Sequence, residues 1–367
     1  GVLDRHEAVR AEGGVERSDD LAVGTIDSWL LWNLTGGAVH ATDDTNASRT
    51  MLYDLASGDW SDELCNLFGV PRAALPEILA SSGRFGTVAP GWGLPEGTPI
   101  SGIAGDQQAS LFGQACFEPG MTKNTYGTGS FVLMNVGTER PDAVEGLITT
   151  TAWSLPDGAG GRRVTYALEG SIFVTGAGIQ WLRDGLGIID EAAEVGSLAE
   201  SVSDTDGVVV VPAFTGLGSP WWDPYARGTM LGITRGTTKA HLARAVLESI
   251  AYQTRDVVDA MTNASGTPLA ELRVDGGASA ADLLVRIQAD QLGVPVRRSR
   301  ERETTAQGAA FLAGLAEGFW DSLDDVAAAW ASDATFEADG DATVIEANYR
   351  RWLEAVERSR GWDRPLA

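Results

Sequence analysis

One carboxylate stands where α/β folds place reactive groups. Residues 99–104 have the pattern of a buried strand, Gly105-Asp106 forms its tight end, and residues 107–114 have the pattern of a helix. A helix N-terminus favours the ionised form of Asp106, so this side chain could accept the proton of a substrate hydroxyl. The same spacing fits a carboxylate that only caps the helix.

Three glycine-containing turns could bind phosphate. They are Gly127-Thr128-Gly129, Gly176-Ala177-Gly178 and Gly276-Gly277, and each would uncover backbone N–H groups. A single turn of this kind is more often plain geometry than a ligand site, but three together indicate a nucleotide. Thr128 adds a hydroxyl for a phosphate oxygen, and a side chain at Gly277 would block a base or ribose. Neither a P-loop nor a Gly-x-Gly-x-x-Gly follows a predicted strand.

The elements that would position these groups form an α/β chain with a boundary near residues 114–120. Residues 71–79 are predicted to be a short helix and 85–97 a loop. Four strands, predicted to make one sheet, follow the boundary; they cover residues 122–125, 131–136, 146–153 and 164–169. Beyond them helices and strands alternate, with helices over residues 175–185, 190–203, 239–261, 280–292 and 305–318 and strands over 208–213, 272–274 and 294–297.

Composition narrows the function classes. The 367 residues are 44% hydrophobic, which fits about two domains, and no apolar run approaches the roughly 20 residues of a membrane span. A formal charge of −24 disfavours nucleic acid as a partner. Two cysteines cannot form a disulfide framework, which favours a cytoplasmic location. Together with three scattered histidines they also provide no zinc site, so the sequence predicts no metal-binding residues.

Several longer stretches carry a family resemblance. They are IAGDQQASLFGQ at 103–114, TNASRTML at 45–52, NTYGTGSF at 124–131 and PAFTGLGSPWWDPYARG at 212–228. Over nearly all of residues 23–360 the sequence resembles the FGGY carbohydrate kinases, and within them the members that act on glycerol. The resemblance implies two actin-like (ribonuclease H-like) domains, at 1–114 and 117–367, with ATP, Mg²⁺ and glycerol in the cleft between them. The implied reaction is ATP-dependent phosphorylation of glycerol to sn-glycerol 3-phosphate.

The resemblance also assigns roles by position. Asp106 resembles the catalytic base, Gln107 a glycerol ligand, and Phe131 an apolar wall against the glycerol carbons. Five further residues match nucleotide-binding positions: Thr128, Gly176, Gln180, Gly277 and Ala281. Ala281 stands where many family members have an asparagine that touches the adenine.

The sequence also departs from the family pattern. The opening third, with its phosphate turn and glycerol-lining residues, is absent, so we expect an incomplete first domain and no glycerol phosphorylation by residues 1–367 alone. The loop at 87–98 lacks the Gly-Gly-Lys-Gly-Gly-Thr-Arg run by which some members bind fructose 1,6-bisphosphate. Two alternatives stay open: a kinase of another polyol or sugar, and a non-catalytic actin-like nucleotide-binding module. The sequence leaves the oligomeric state open, a homo-oligomer included.

The charge pattern generates a prediction about salt. Lys123 and Lys239 are the only lysines, a bias that fits either a salt-loving cytoplasm or a GC-rich genome. If the cytoplasm is salty, the protein should gain stability steeply in molar KCl, because salt screens the repulsion between its carboxylates. Thermal melts at about 0.1 M and 2 M KCl distinguish the two origins, after allowance for general salting-out. A flat response would exclude the halophilic origin.

Overall fold

The computed structural model describes residues 21–365, so the first twenty residues of the predicted first domain lie outside it. Among the residues described, no helix has both the length and the apolar character needed to cross a membrane. The elements before the predicted boundary are short. They are α1 (Ile26–Leu34), β1 (Ala41–Asp43), α2 (Asp44–Ala47), β2 (Tyr53–Asp54), β3 (Asp59–Trp60), α3 (Asp62–Phe68), β4 (Glu77–Leu79), β5 (Ser82–Thr87), β6 (Pro99–Gly102) and α4 (Asp106–Gly113).

The larger part of the fold is built on one mixed sheet. Its elements continue as β7 (Met121–Tyr126), β8 (Ser130–Gly137), β9 (Ile148–Pro156), β10 (Arg162–Ile172), α5 (Gly176–Gln180), α6 (Glu194–Glu200), β11 (Val209–Val211), β12 (Thr229–Leu231), α7 (Lys239–Ser265), β13 (Glu271–Asp275), α8 (Asp282–Leu292), β14 (Val296–Ser299), α9 (Thr304–Ala316), α10 (Leu323–Ala329), β15 (Ser332–Phe336) and α11 (Ala342–Ser359). Seven strands pair in the order β15-β14-β13-β7-β8-β10-β9. The central strand β7 pairs parallel with β13 and antiparallel with β8.

The predicted four-stranded sheet is therefore part of a larger one. Strands β7 to β10 are confirmed, and the parallel pairing of β13 with β7 joins them to the later strands. The helix predicted over 71–79 is wrong: a 3₁₀ turn at Arg72–Ala74 ends before Pro76, and β4 then pairs with β1. Pro76 has no N–H to donate, so it cannot continue a helical hydrogen-bond pattern. The predicted loop over 85–97 begins inside β5. Strand β6 is only partly buried, and within residues 21–365 it pairs with β5 alone.

Helices α4 and α9 cross at two glycines. A Cβ atom on Gly308 of α9 would lie 1.8 Å from the carbonyl oxygen of Ala109, and one on Gly113 would lie 2.0 Å from that of Thr304. The backbones of α4 and α9 can approach this closely only because both contact positions lack a side chain. Asp275, at the end of β13, accepts hydrogen bonds from Thr304 of α9 and Gln114 at the end of α4. The crossing thus fixes α4, and with it Asp106, against the large sheet.

Buried ion pairs join the amino-terminal elements to the sheet. Arg49 forms two hydrogen bonds of 3.0 Å with Glu169 on β10, and the Glu169 side chain is almost completely buried. Asp44, also buried, pairs with Arg162 at 2.9 Å and accepts a hydrogen bond from Ser154. Bidentate, charge-assisted bonds of this kind fix orientation as well as distance. The small strands therefore have a defined position relative to β9 and β10.

The helix crossing predicts an unusual response to alanine. Gly308→Ala should lower the free energy of unfolding by about 1–3 kcal/mol, because the new methyl group overlaps the Ala109 carbonyl. Helix propensity alone would predict a gain of up to about 1 kcal/mol. Gly196→Ala in α6 is the matched control, since the nearest atom to its Cβ position is the Ala281 methyl carbon at 3.8 Å. Urea unfolding of both variants measures the difference, and equal effects would show that the crossing tolerates a side chain.

Candidate functional site

The first glycine turn is docked on the start of helix α5. The carbonyl of Thr128 accepts hydrogen bonds from the N–H groups of Thr175 and Ala177 at 2.9 and 3.0 Å, and that of Gly127 accepts from Gly176 at 3.0 Å. A Cβ on Gly176 would lie 2.6 Å from the Gly127 carbonyl oxygen, so no side chain fits there. The first two turns of the sequence are thus one backbone-to-backbone unit.

The third turn closes on the same hairpin. Gly276 has a φ of +85°, and a Cβ on it would lie 2.5 Å from the carbonyl oxygen of Tyr126, the last residue of β7. Both the close approach and the positive φ require glycine. Its neighbour Gly277 differs: a Cβ there would meet no atom within 4 Å. A side chain at 277 would therefore project into the open space in front of the turns.

That open space is a cavity of about 410 Å³. All five predicted nucleotide residues line it: Thr128, Gly176, Gln180, Gly277 and Ala281. Thr128 and Gln180 are exposed, and neither side chain forms a hydrogen bond with the residues that the structure describes. The walls are mostly small or apolar and include Ile179, Ala193 and Val195. An apolar cavity with a few free polar groups and uncovered turns suits a nucleoside phosphate.

The predicted acceptor residues lie apart from this cavity, at the start of α4. Asp106 is the first helical residue, and Gly105 occupies the capping position with no side-chain cap. The Asp106 carboxylate accepts from the backbone N–H of Gln107 at 2.8 Å and from its Nε2 at 3.3 Å. Asp106 therefore lies one residue beyond the N-cap position, and its carboxylate still pairs with a backbone N–H in the first turn of the helix. Its side chain is exposed to the space in front of the helix.

Strand β7 connects the two halves of the site. Lys123 lies on it and donates hydrogen bonds from Nζ to Gln107 Oε1 and to Thr125 Oγ1, the latter at 3.1 Å. Phe131 is the cross-strand partner of Thr125 on β8, so Lys123, Thr125 and Phe131 share one face of the sheet. At roughly 3.3 Å per residue, the strand carries the chain about 13 Å from Lys123 to Gly127. Gln107 thus contacts Lys123, Phe131 shares a face of the sheet with Lys123, and β7 links both to the first glycine turn.

Lys123 is the functional candidate that sequence reasoning missed. Its side chain is completely buried, and this burial lowers the pKa of Lys123, while the negative charges of Asp275, Glu169 and Asp106 oppose the decrease. A buried ammonium is costly unless it is paired or hydrogen-bonded. The sequence did contain a signal: one of only two lysines lies inside a predicted strand, four residues before Gly127 of the first glycine turn.

No metal site of protein ligands alone is visible in residues 21–365, where no three Asp, Glu, His or Cys side chains group as an ion would require. Mg²⁺ in nucleotide sites is usually held by one or two carboxylates together with phosphates. Asp106 is an exposed carboxylate at the start of α4 and could be one of those carboxylates.

Comparison with known proteins identifies the class. Residues 4–113 match the N-terminal domain and residues 122–317 the C-terminal domain of the FGGY family of carbohydrate kinases, and the chain belongs to this family. The predicted α/β fold of two actin-like domains is thereby confirmed. Xylulose kinases from Lactobacillus acidophilus and Rhodospirillum rubrum share the fold, with TM-scores of 0.80 and 0.76 at 21% and 27% identity.

The most informative relatives are named glycerol kinase. One from Bordetella parapertussis is 58% identical over 348 residues, which are 95% of this chain and 68% of that protein. One from Deinococcus radiodurans is 56% identical, over 96% of this chain and 69% of its own length. The crystal structure of Plasmodium falciparum glycerol kinase with ADP is 38% identical and has a TM-score of 0.87, over 92% of this chain and 67% of that one.

The open position at Gly277 generates a binding prediction. Gly277→Val should keep the fold, because no protein atom lies near the new side chain, but should weaken ADP binding about tenfold or more by filling the cavity. Gly236→Val is the control, since this exposed loop glycine also has room for a Cβ and does not line the cavity. Isothermal titration with Mg-ADP measures both. Unchanged affinity in Gly277→Val would place the nucleotide elsewhere.

Proposed function

We propose that the protein transfers the γ-phosphoryl group of ATP to glycerol and releases ADP and sn-glycerol 3-phosphate. The observation that carries the proposal is the contact of three glycine turns around one cavity, beside a helix that begins with Asp106 and Gln107. The names of relatives 54–58% identical to this chain supply the acceptor.

The proposed roles follow from the placement of the groups. The Asp106 carboxylate accepts the proton of the attacking hydroxyl, because it is exposed at the helix start and held by two donors of Gln107. Gln107 binds a hydroxyl oxygen, and Phe131 packs on the carbon chain of the acceptor. Positioning of donor and acceptor supplies most of the rate enhancement in phosphoryl transfer, so the rigid turns matter as much as the base.

The residues that we propose to contact the nucleotide all line the cavity. Thr128 and the start of α5 at Gly176 contact phosphates, while Gln180, Gly277 and Ala281 contact the nucleoside. The small residues at 277 and 281 leave space for a base and ribose. Mg²⁺ enters with ATP as part of the substrate and neutralises phosphate charge.

We also propose a domain division of the chain and a cellular location for the reaction. The chain divides near residue 115 into the predicted parts 1–114 and 117–367, with the acceptor helix α4 at the end of the first. We place the reaction in the cytoplasm, where the two buried free cysteines, Cys65 and Cys116, stay reduced.

Two other functions compete. A kinase for another polyol or sugar would share the nucleotide cavity and differ at Gln107 and Phe131, and the xylulose kinases of similar fold make this the stronger competitor. A nucleotide-binding module without kinase activity would need neither. An assay of ADP release with glycerol, xylulose and gluconate as separate acceptors distinguishes all three.

The base assignment predicts a large, selective loss of turnover. In the complete gene product, Asp106→Asn should reduce kcat about 100-fold or more and leave the affinities for ATP and glycerol nearly unchanged. Some activity should survive, since positioning and charge stabilisation remain. Asp62→Asn is the matched control, because Asp62 is also the exposed first residue of a helix. Full turnover in Asp106→Asn would remove Asp106 from the chemistry.

A further inference from the structure

The buried ammonium of Lys123 is linked by hydrogen bonds to both predicted acceptor residues of α4. It is completely buried between β7 and the first turn of α4, and its ammonium donates to the side-chain oxygen of Gln107. The nitrogen of the same amide donates to Asp106 Oδ2 at 3.3 Å. Hydrogen bonds therefore connect the three side chains in series, from the Lys123 ammonium through the Gln107 amide to the Asp106 carboxylate.

The direction of this chain is fixed by chemistry. An ammonium has three donors and no acceptor, so only the oxygen of the Gln107 amide can face Lys123. The NH₂ group must then face the opposite way, toward the Asp106 carboxylate, which accepts only. A glutamine without the lysine could rotate its amide by 180° and present either atom to the acceptor site.

We propose that Lys123 is a positioning residue for the acceptor hydroxyl, which it controls by holding the Gln107 amide with Nε2 toward Asp106. The acceptor oxygen is then recognised by an N–H donor of Gln107, and its own proton is left for the Asp106 carboxylate. This inference rests on the proposed function and deepens it: the site selects an acceptor hydroxyl as a hydrogen-bond acceptor from Gln107 and a donor to Asp106.

The surroundings of Lys123 support a positioning role over a purely structural one. Its cross-strand neighbour on β13 is Arg273, which faces the same helix but binds the carbonyls of Gln114 and Ala115 at its far end. Arg273 thus already provides the cation that suits a helix C-terminus. Lys123 instead places a positive charge under the N-terminal turn, where the helix dipole disfavours it. The negative charges of Asp275, Glu169 and Asp106 stabilise the ammonium there, and its hydrogen bond to Gln107 connects it to the acceptor residues rather than to the end of the helix.

A double-mutant cycle in the complete gene product tests the proposal. Lys123→Met should reduce kcat/KM for glycerol about ten- to a hundredfold, the range expected for a lost hydrogen bond to a charged group, with KM for ATP unchanged. In a Gln107→Leu background the same substitution should change kcat/KM by less than about twofold, because Lys123 acts through Gln107. An equal loss in both backgrounds would overturn the proposal.

Two further variants separate positioning from folding. Arg273→Met removes the neighbouring buried cation and should lower the melting temperature without changing the glycerol KM more than about twofold. Gln107→Glu keeps an oxygen for Lys123 and removes the Nε2 donor, so it should stay folded and still lose glycerol affinity about tenfold. Wild-type glycerol affinity in Gln107→Glu would refute the role of the NH₂ group.

The contact between Lys123 and Gln107 can also be tested without any enzyme activity. If the wild-type protein phosphorylates no glycerol, the proposed function fails, and the Gln107 side-chain amide signals in a ¹⁵N NMR spectrum still test the contact. Those signals are assigned by their absence in Gln107→Glu. Relative to the wild-type protein, they should shift and exchange faster with solvent in Lys123→Met but not in Arg273→Met. Identical signals in the wild-type protein and in these two variants would show that Lys123 does not hold the amide.

Discussion

The contact of three glycine turns, backbone against backbone, is the constraint on which the rest of the site depends. Carbonyl groups of the 127–129 hairpin accept the first N–H groups of α5, and Gly276 approaches the end of β7 too closely for any side chain. In these contacts the inward-facing carbonyl and N–H groups of the turns bond one another, and the outer side of the turns stays open to the cavity. Because the second and third turns both contact the end of β7 and its hairpin, neither can move without disturbing that hairpin.

Strand β7 transmits this constraint to the acceptor side. Its last residues lead into the hairpin, and Lys123, earlier on the same strand, binds the side chain that follows Asp106. Helix α4 is independently fixed by its crossing with α9 and by Asp275, which lies one residue before Gly276 and is bonded to both helices. The Asp106 carboxylate and the glycine turns are thus both positioned by the same two neighbouring strands, β7 and β13. Phosphoryl transfer depends on such mutual positioning more than on the strength of any single group.

Much of this could be predicted from the sequence, and the limits have physical causes. The glycine turns, the strand before Thr128 and the helix after Gly105 follow from local signals, because glycine and alternating hydrophobicity act over a few residues. The helix expected near residue 75 failed because pairing of β4 with β1 overrode weak local propensity. The seven-stranded sheet needed the long-range pairing of β13 with β7, which no local pattern encodes. Lys123 was missed for a similar reason: the rarity of lysine and its place in a strand single it out, but its partner Gln107 lies on a different element, and no local pattern encodes that contact.

We propose that the three turns form one phosphate-binding site that acts together with Asp106. A crystal structure of the protein with Mg-ADP and glycerol tests this arrangement. We expect the nucleoside between Gln180 and Gly277, the phosphates against the hairpin at Thr128, and a glycerol hydroxyl between Gln107 Nε2 and the Asp106 carboxylate. Phosphates bound away from the 127–129 hairpin, or glycerol bound with no contact to Asp106 and Gln107, would contradict it.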